Sequence, residues 1–234
     1  MAKALIVVPT YNERDNVPAV AQRFLDALPG CELLFVDDNS PDGTGALLDE
    51  LAGAERRIHV MHRAGKLGLG TAYIEGFGWG LARDYGVFFE MDADGSHDPK
   101  YLPGMLALAE DGADVVVGSR YVPGGGTVNW GFGRKLISRG GSLYARTILG
   151  IDVRDVTAGF CCWRRSALEA IDLPAIGSNG YSFQIEMKYR ALQRGMKLVE
   201  TPIQFVDRRV GQSKMSRAIF AEALLKVWAL RLGR

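Results

Sequence analysis

Two carboxylates one residue apart, Asp92 and Asp94 around Ala93, follow directly on the apolar run Val87–Met91. Side chains at i and i+2 leave a strand on one face. Where the strand ends, both carboxylates can therefore turn toward one cation. Magnesium and manganese are hard ions that take oxygen ligands, commonly one or two carboxylates plus substrate phosphates. Such an ion offsets charge on a departing diphosphate. A solvated turn after a strand has the same composition. What favours the chemical reading is the apolar strand that delivers the pair to a sheet edge.

A second acidic cluster, Phe35-Val-Asp-Asp-Asn-Ser-Pro-Asp-Gly-Thr-Gly45, is rich in residues that favour turns. It reads equally as the capped start of a helix and as a site where Asp38 holds the base or ribose of a nucleotide. The cations Arg120, Arg134, Arg139, Arg208 and Lys214 lie in or beside loops and helix ends, several next to glycines that let backbone approach a ligand. Arginine forks suit phosphate. Gly65-Lys-Leu-Gly-Leu-Gly70 lacks both the Walker spacing and the GxGxxG pattern, so it reads as a flexible or close-packed loop beside a donor site. His59 and His62 sit in or beside a strand and are poor metal candidates, whereas His97 follows the acidic pair closely. Cys161, Cys162, Trp130 and Trp163 read as packing residues.

Short apolar runs must position these groups. Ala4–Val8, Leu33–Val36, Ile58–Met61, Val87–Met91 and Val115–Val117 read as buried strands covered on both faces. Helices are expected at Val17–Leu28, Gly45–Leu51, Gly70–Arg83 and Pro99–Leu108, with Pro18 and Pro99 in first turns. This alternation predicts an α/β fold, Rossmann-like, with a mostly parallel sheet and helices on both faces. Ligands then bind beyond the carboxyl ends of the strands. Pro9–Glu13, Asp37–Gly43, Asp92–Asp94 and Gly118–Arg120 all fall there. Farther on, Val122–Gly133 reads as a glycine-rich loop, Arg134–Leu149 and Phe183–Leu192 as helices, and Ala158–Arg165 and Lys197–Val206 as strands.

Hydrophobic residues make up 47% of the 234, enough for a core in one domain. The net charge of +1 offers no electrostatic case for nucleic-acid binding. Three cysteines, none in a CxxC pair, argue against a disulfide framework or zinc site and suit a reducing cytoplasm. The chain runs straight into the first strand, so no leader is expected, and no apolar run is long enough to span a bilayer. Residues 216–234 form an amphipathic stretch: Ile219, Phe220, Ala223, Leu224, Val227 and Trp228 recur at helical spacing, with Arg217, Arg231 and Arg234 flanking. It suits equally a helix lying in the headgroup region, one packed on the core, or one docked on an integral-membrane partner.

Nine motifs stand in order: "PTYNE", "VDDNSPDGT", "GKLGLGTAY", "MDADGSHDP", "GSRYVPGG", "RKLISRGG", "DVTAGFCCWRR", "GYSFQIEM" and "FVDRRVGQSKMS". Together they resemble the dolichol- or polyprenol-phosphate mannose synthases, inverting members of glycosyltransferase family two with the GT-A fold. The resemblance runs from Ala4 to about Ser216. It implies transfer of mannose from GDP-mannose to a polyprenyl monophosphate at the cytoplasmic face of a membrane, with Mg²⁺ or Mn²⁺. A glucosyl or other sugar transferase to the same acceptor is the nearest alternative. A sugar nucleotidyltransferase would carry a glycine-rich signature where this chain has "PTYNERDN", and a non-catalytic binder would not need Asp92, Asp94, Arg120 and Arg208 intact.

The resemblance also implies roles. Pro9, Tyr11, Glu13, Val36 and Asp38 would hold the guanine nucleotide. Asp92 and Asp94, around Ala93, would bind the metal and donor diphosphate. Arg120 would contact donor phosphate or the reaction centre. Arg134 and Ser138 would meet the acceptor phosphate, and Arg208 and Lys214 would close over the site. Some relatives place a further ligand, glutamine, where this chain has Ser96. One domain over residues 1–215 is expected, with a nucleotide-sugar half to about 120 and an acceptor half beyond it, followed by the C-terminal helix.

Overall fold

A computed structural model describes residues 2–206 and 217–233, with side chains described for all of these but 181 and 217–223. Elements follow in the order β1 (Ala4–Thr10), α1 (Val17–Ala27), β2 (Cys31–Asp37), α2 (Thr44–Ala54), β3 (Ile58–His62), α3 (Leu69–Leu81), β4 (Val87–Glu90) and α4 (Leu102–Glu110). The second half continues with β5 (Val115–Ser119), β6 (Gly126–Val128), α5 (Phe132–Leu149), β7 (Cys161–Arg164), α6 (Arg165–Ala170), α7 (Gly180–Gln193), β8 (Leu198–Pro202), β9 (Gln204–Val206) and α8 (Arg217–Arg231).

The apolar runs of β1, β2, β4 and β5 are buried because helices cover both faces of their sheet. Among the described residues seven strands form it, in the order β3-β2-β1-β4-β7-β5-β8. One face packs Ile6, Val8, Phe35 and Phe89 under α1 and α4. The other packs Leu5, Val7, Val36 and Phe88 under α3 and α7. α3 lies close on β1: a Cβ on Gly76 would stand 2.5 Å from a methyl of Val7, and one on Gly80 would collide with Phe88 and Leu5. The mixed α/β architecture is that of the GT-A fold.

The parallel register of β1 with β2 runs from Ala4↔Cys31 to Thr10↔Asp37, whereas its pairing with β4 stops at Val7↔Glu90. β2 and β3 are added on one side of β1 and β4 on the other, so a crevice opens between β1 and β4 at the carboxyl edge. The strand expected at 158–165 is β7, which runs antiparallel between β4 and β5. Its amino end therefore lies at the edge where its neighbours have their carboxyl ends, and Asp155–Phe160 arrive at the crevice. The expected strand at 197–206 is two, because β9 turns away to pair with β6, which lies inside the glycine-rich stretch.

α5 begins at Phe132 and ends on Gly150, whose left-handed φ of 68° closes the last turn through its N–H to Arg146 O. α8 packs on α5 and α7, with Val227 buried beside Ala145, Leu149 and Ile185. Leu225, Trp228 and Leu232 face outward. Among the described residues no helix is long and apolar enough to cross a membrane.

Candidate active site

The loops after β1 and β2 are stitched together by side chains. Asn12 N–H donates to Ser40 Oγ (3.0 Å), Glu13 N–H to Thr44 Oγ1 (3.1 Å) and Arg14 N–H to Asp42 Oδ2 (3.3 Å). Asn12 and Asn39 make these turns in the left-handed region, which asparagine tolerates. The acids of the second cluster divide the work. Asp37 accepts from Ser40 Oγ (2.6 Å) and Thr10 Oγ1 (3.1 Å), and Asp42 accepts Thr44 N–H (3.0 Å) at the start of α2. Both are turn and cap residues. Asp38 lines the crevice instead.

Asp38 is set by a residue the sequence reading did not single out. Arg63, buried after β3, donates from Nη1 to Asp38 Oδ1 (2.7 Å) and from Nη2 to Thr71 Oγ1 (2.6 Å). Gly68 N–H reaches Asp38 Oδ2 at 3.3 Å. The loop "GKLGLG" is close-packed: Gly70 N–H donates to Asn179 Oδ1 (3.1 Å), and a Cβ there would meet Ser178 O at 2.8 Å. Lys66 from this loop lies 4.2 Å above the ring of Tyr11.

A cavity of about 310 Å³ occupies the crevice and gathers Pro9, Tyr11, Glu13, Asp38, Asp92, Ala93, Asp94, Arg120 and Arg134. Val36 stays apart: its side chain is fully buried on the α3 face. Asp94 Oδ1 accepts Ser96 N–H (3.0 Å), which holds its turn. Ser96 is buried and does not line the cavity, so it does not replace the relatives' glutamine there. Among the described residues no group of three His, Cys, Asp or Glu gathers as a metal cluster. Two carboxylates lining an open cavity do suit a hard cation that completes its shell with substrate phosphate and water.

His97 lies beside Asp92, stacked on Phe160 with ring centroids 5.0 Å apart. Its Nδ1 accepts the Asp92 N–H at 3.0 Å, which puts the proton of the neutral ring on Nε2. No ring lone pair then remains to act as a base.

Beneath the aspartates runs a buried polar row. Glu90 accepts from Trp163 Nε1 (2.6 Å) and from Gln184 Nε2, while Lys188 Nζ donates to Gln184 Oε1 (3.1 Å) and Ala158 O (2.7 Å). Burial pushes the Glu90 carboxyl up to about 7, against the opposing pull of Lys188, Gln184 and Trp163. Gln184 lines the cavity with its amide fixed between the two ionisable groups.

On the far wall Arg120 forks onto Asp155, itself fully buried. Nε donates to Oδ2 (2.7 Å), Nη2 to Oδ1 (2.6 Å), and the Arg120 N–H adds a third bond at 2.9 Å. Glu200 braces the turn by accepting the N–H groups of Arg154 (2.7 Å) and Asp155 (2.9 Å). Arg134 stacks its guanidinium 4.0 Å over Trp130, so Trp130 is more than filler. Ser138 lies outside this cavity's lining and accepts the Tyr121 hydroxyl at 2.6 Å. Arg208 and Lys214 lie outside the described residues.

His59 and His62 contact Glu32 (2.7 Å) and Asp49 (2.9 Å). Cys31, Cys161 and Cys162 are free and buried.

Residues 5–172 match the model of the glycosyl transferase family 2. The polyprenol monophosphomannose synthase of Mycolicibacterium smegmatis is 50% identical over 98% of this chain and 88% of its own length. The undecaprenyl-phosphate mannosyltransferase of Micrococcus luteus is 50% identical over 97% of this chain and 94% of its own. Among solved structures, glucosyl-3-phosphoglycerate synthase of Mycobacterium tuberculosis, bound to Mn²⁺, UDP and its product, superposes with a TM-score of 0.70 at 19% identity, covering 99% of this chain and 80% of that one. The crevice between β1 and β4, with its two aspartates at the carboxyl edge, is thus found in a chain that belongs to glycosyltransferase family 2.

Proposed function

We propose that this enzyme transfers mannose from GDP-mannose to a polyprenyl monophosphate, giving polyprenyl phosphate mannose and GDP. The observation that carries the reading is a cavity joining two aspartates to two arginines while its histidine has no lone pair to spare. A hydroxyl acceptor needs a base to take its proton. A phosphate monoester, with a second pKa near ~6, arrives largely as a dianion and needs none. Its obstacle is repulsion from the donor diphosphate. The names of two relatives at 50% identity support the acceptor class and the sugar.

In this reading Pro9, Tyr11, Glu13 and Asp38 hold the nucleotide, Asp38 kept in place by Arg63. Asp92 and Asp94 would hold a divalent cation, Mg²⁺ or Mn²⁺, which supplies charge neutralisation for the diphosphate. Arg120 faces the reacting phosphates, and Arg134 and Ser138 receive the acceptor. Arg208 and Lys214, outside the described residues, would join this set as the resemblance implies. One acceptor oxygen bonds to the anomeric carbon as its bond to the GDP oxygen breaks. The single displacement inverts that carbon, and no proton moves.

The test is transfer of radiolabel from GDP-mannose and, separately, UDP-glucose to polyprenyl phosphate, read in the organic phase. Label from GDP-mannose, with GDP a stronger competitor than UDP, is the expected result. Preferential labelling from UDP-glucose would assign a glucosyl transferase. No label from either donor would overturn the acceptor.

A further inference from the structure

The carboxyl edge of the sheet sets its groups in a row. β1, β4, β7 and β5 lie side by side. Tyr11 and Glu13 follow β1, Asp92 and Asp94 follow β4, and Arg120 follows β5. β7 runs the other way, so Gly159 reaches the same edge just before that strand begins. With neighbouring strands about 4.8 Å apart, Gly159 comes between the two aspartates and Arg120, and all of these line one cavity. The substrates of the proposed function need, in the same order, places for the nucleotide, the diphosphate, the sugar and the acceptor phosphate. The third place falls at Gly159.

The surroundings of Gly159 suit a sugar. A Cβ there would lie 3.8 Å from His97 Cε1 and 3.9 Å from Gln184 Nε2, both ordinary contact distances, with no other described atom within 4 Å. Its backbone is outside the left-handed region. Neither strain nor close packing therefore requires glycine here. What the missing side chain leaves is open cavity between His97 and Gln184.

Gln184 is buried, and its amide cannot turn over. Lys188 Nζ has only hydrogens to give, so the amide oxygen faces it at 3.1 Å. The same oxygen takes the Cys161 thiol at 4.0 Å. Nε2 then faces Glu90 and gives it one of its two N–H groups. The second has no partner among the described residues, and the side chain lines the cavity. A donor fixed in a cavity wall is matched by a hydroxyl oxygen.

We infer that Gly159 and Gln184 seat the transferred sugar, Gln184 Nε2 donating to one of its hydroxyls and Gly159 leaving room for its ring. Glu90 and Lys188 act only through Gln184, as positioning residues for its amide. This placement deepens, and rests on, the nucleotide-sugar donor of the proposed function.

GDP and GDP-mannose are titrated calorimetrically into the full-length protein in Mg²⁺, and transfer to polyprenyl phosphate is followed at varied GDP-mannose. Gly159→Ala meets no clash, so thermal unfolding should not change. Its methyl should displace the sugar by about 1 Å and lower kcat/KM for GDP-mannose on the order of 10²-fold. GDP, which has no sugar, should bind as it does to the parent. Gln184→Met keeps the length of the side chain and removes the donor. It should weaken GDP-mannose relative to GDP by about fivefold, the worth of one hydrogen bond. Its melting point should fall, because Glu90 and Lys188 lose their shared partner, so the ratio of the two affinities is the readout. Unchanged GDP-mannose binding and kcat/KM in Gly159→Ala would overturn the inference. So would an equal loss of GDP and GDP-mannose in that variant. A parent that binds GDP but neither binds GDP-mannose nor moves label from it would remove the donor itself, and the sugar seat with it.

Discussion

Asp155→Asn is the substitution that most directly tests how Arg120 is held. The amide keeps the shape of the carboxylate but loses its charge and one acceptor, and it turns an NH₂ toward a guanidinium that has only donors. Two charge-assisted bonds at 2.6 and 2.7 Å are at stake in a fully buried setting. Breaking a buried pair costs about 3–5 kcal/mol, and the acceptor that remains favours the lower end. At about 2–4 °C per kcal/mol for a chain of this size, the midpoint of thermal unfolding should fall by about 6–12 °C. A guanidinium displaced by about 1 Å from the reacting phosphates should lower kcat on the order of 10²-fold. Nucleotide affinity, assigned in the proposed function to Asp38 and Tyr11, should change little. The assays are calorimetry, nucleotide titration and steady-state transfer well below the variant's melting point. A kcat within threefold of the parent, with unchanged unfolding, would refute the assignment of Asp155 as the residue that positions Arg120.

Asp94→Ala and Asp92→Ala should each lower turnover on the order of 10²–10³-fold, and chelation by EDTA should stop it; full activity in EDTA would remove the metal from the reading. Burial alone would raise the Glu32 carboxyl, but hydrogen bonds from Lys3, Tyr85 and His59 outweigh it and bring it down to about 2. Because the folded pKa lies below the unfolded one, the stabilisation is present above the unfolded value and is lost as pH falls through the folded value. Glu32→Gln should therefore cost about 2–3 kcal/mol in urea denaturation near neutral pH, and the difference should vanish toward about pH 2. Burial pushes the Cys31 and Cys161 thiols up to about 12 and raises the Cys162 thiol as well. The folded protein should accordingly resist alkylation by iodoacetamide, and labelling at the rate of the unfolded chain would contradict that packing.

The first half of the fold was legible because its strands are buried on both faces and read as unbroken apolar runs. The acidic pair was legible because both carboxylates come from one strand end. What stayed hidden were partnerships between distant residues. Nothing local in Arg63 or Asp38 announces their contact across 25 residues, or that of Arg120 with Asp155 across 35. Glu90 and Lys188 looked like ordinary strand and helix positions, since a buried charge is visible only once its burial is known. The antiparallel run of β7 follows from the long excursion through α5, and β6, three residues inside a glycine-rich stretch, had no period to read. The C-terminal helix was legible in its period but not in its packing: Val227 on the apolar face of residues 216–234 is buried beside Ala145 and Leu149 of α5.

The molecule treats its cations in two ways, and the difference follows their tasks. At the crevice Arg63 and Arg120 are buried, Arg63 bonded to Asp38 from behind and Arg120 forked onto Asp155. Their orientation is set by the fold, so no reorganisation is left for the reaction step, which is where electrostatic stabilisation gains its size. That rigidity suits ligands of fixed geometry such as a nucleotide diphosphate. Along α5, Lys135 and Arg139 stand exposed on long stems, without an acidic partner among the described residues. Exposed charges of this kind are screened within a Debye length of about 8 Å in physiological salt, whereas the buried pairs are screened much less. Any encounter of α5 with a charged partner is thereby left sensitive to ionic strength, while the geometry of the crevice is not.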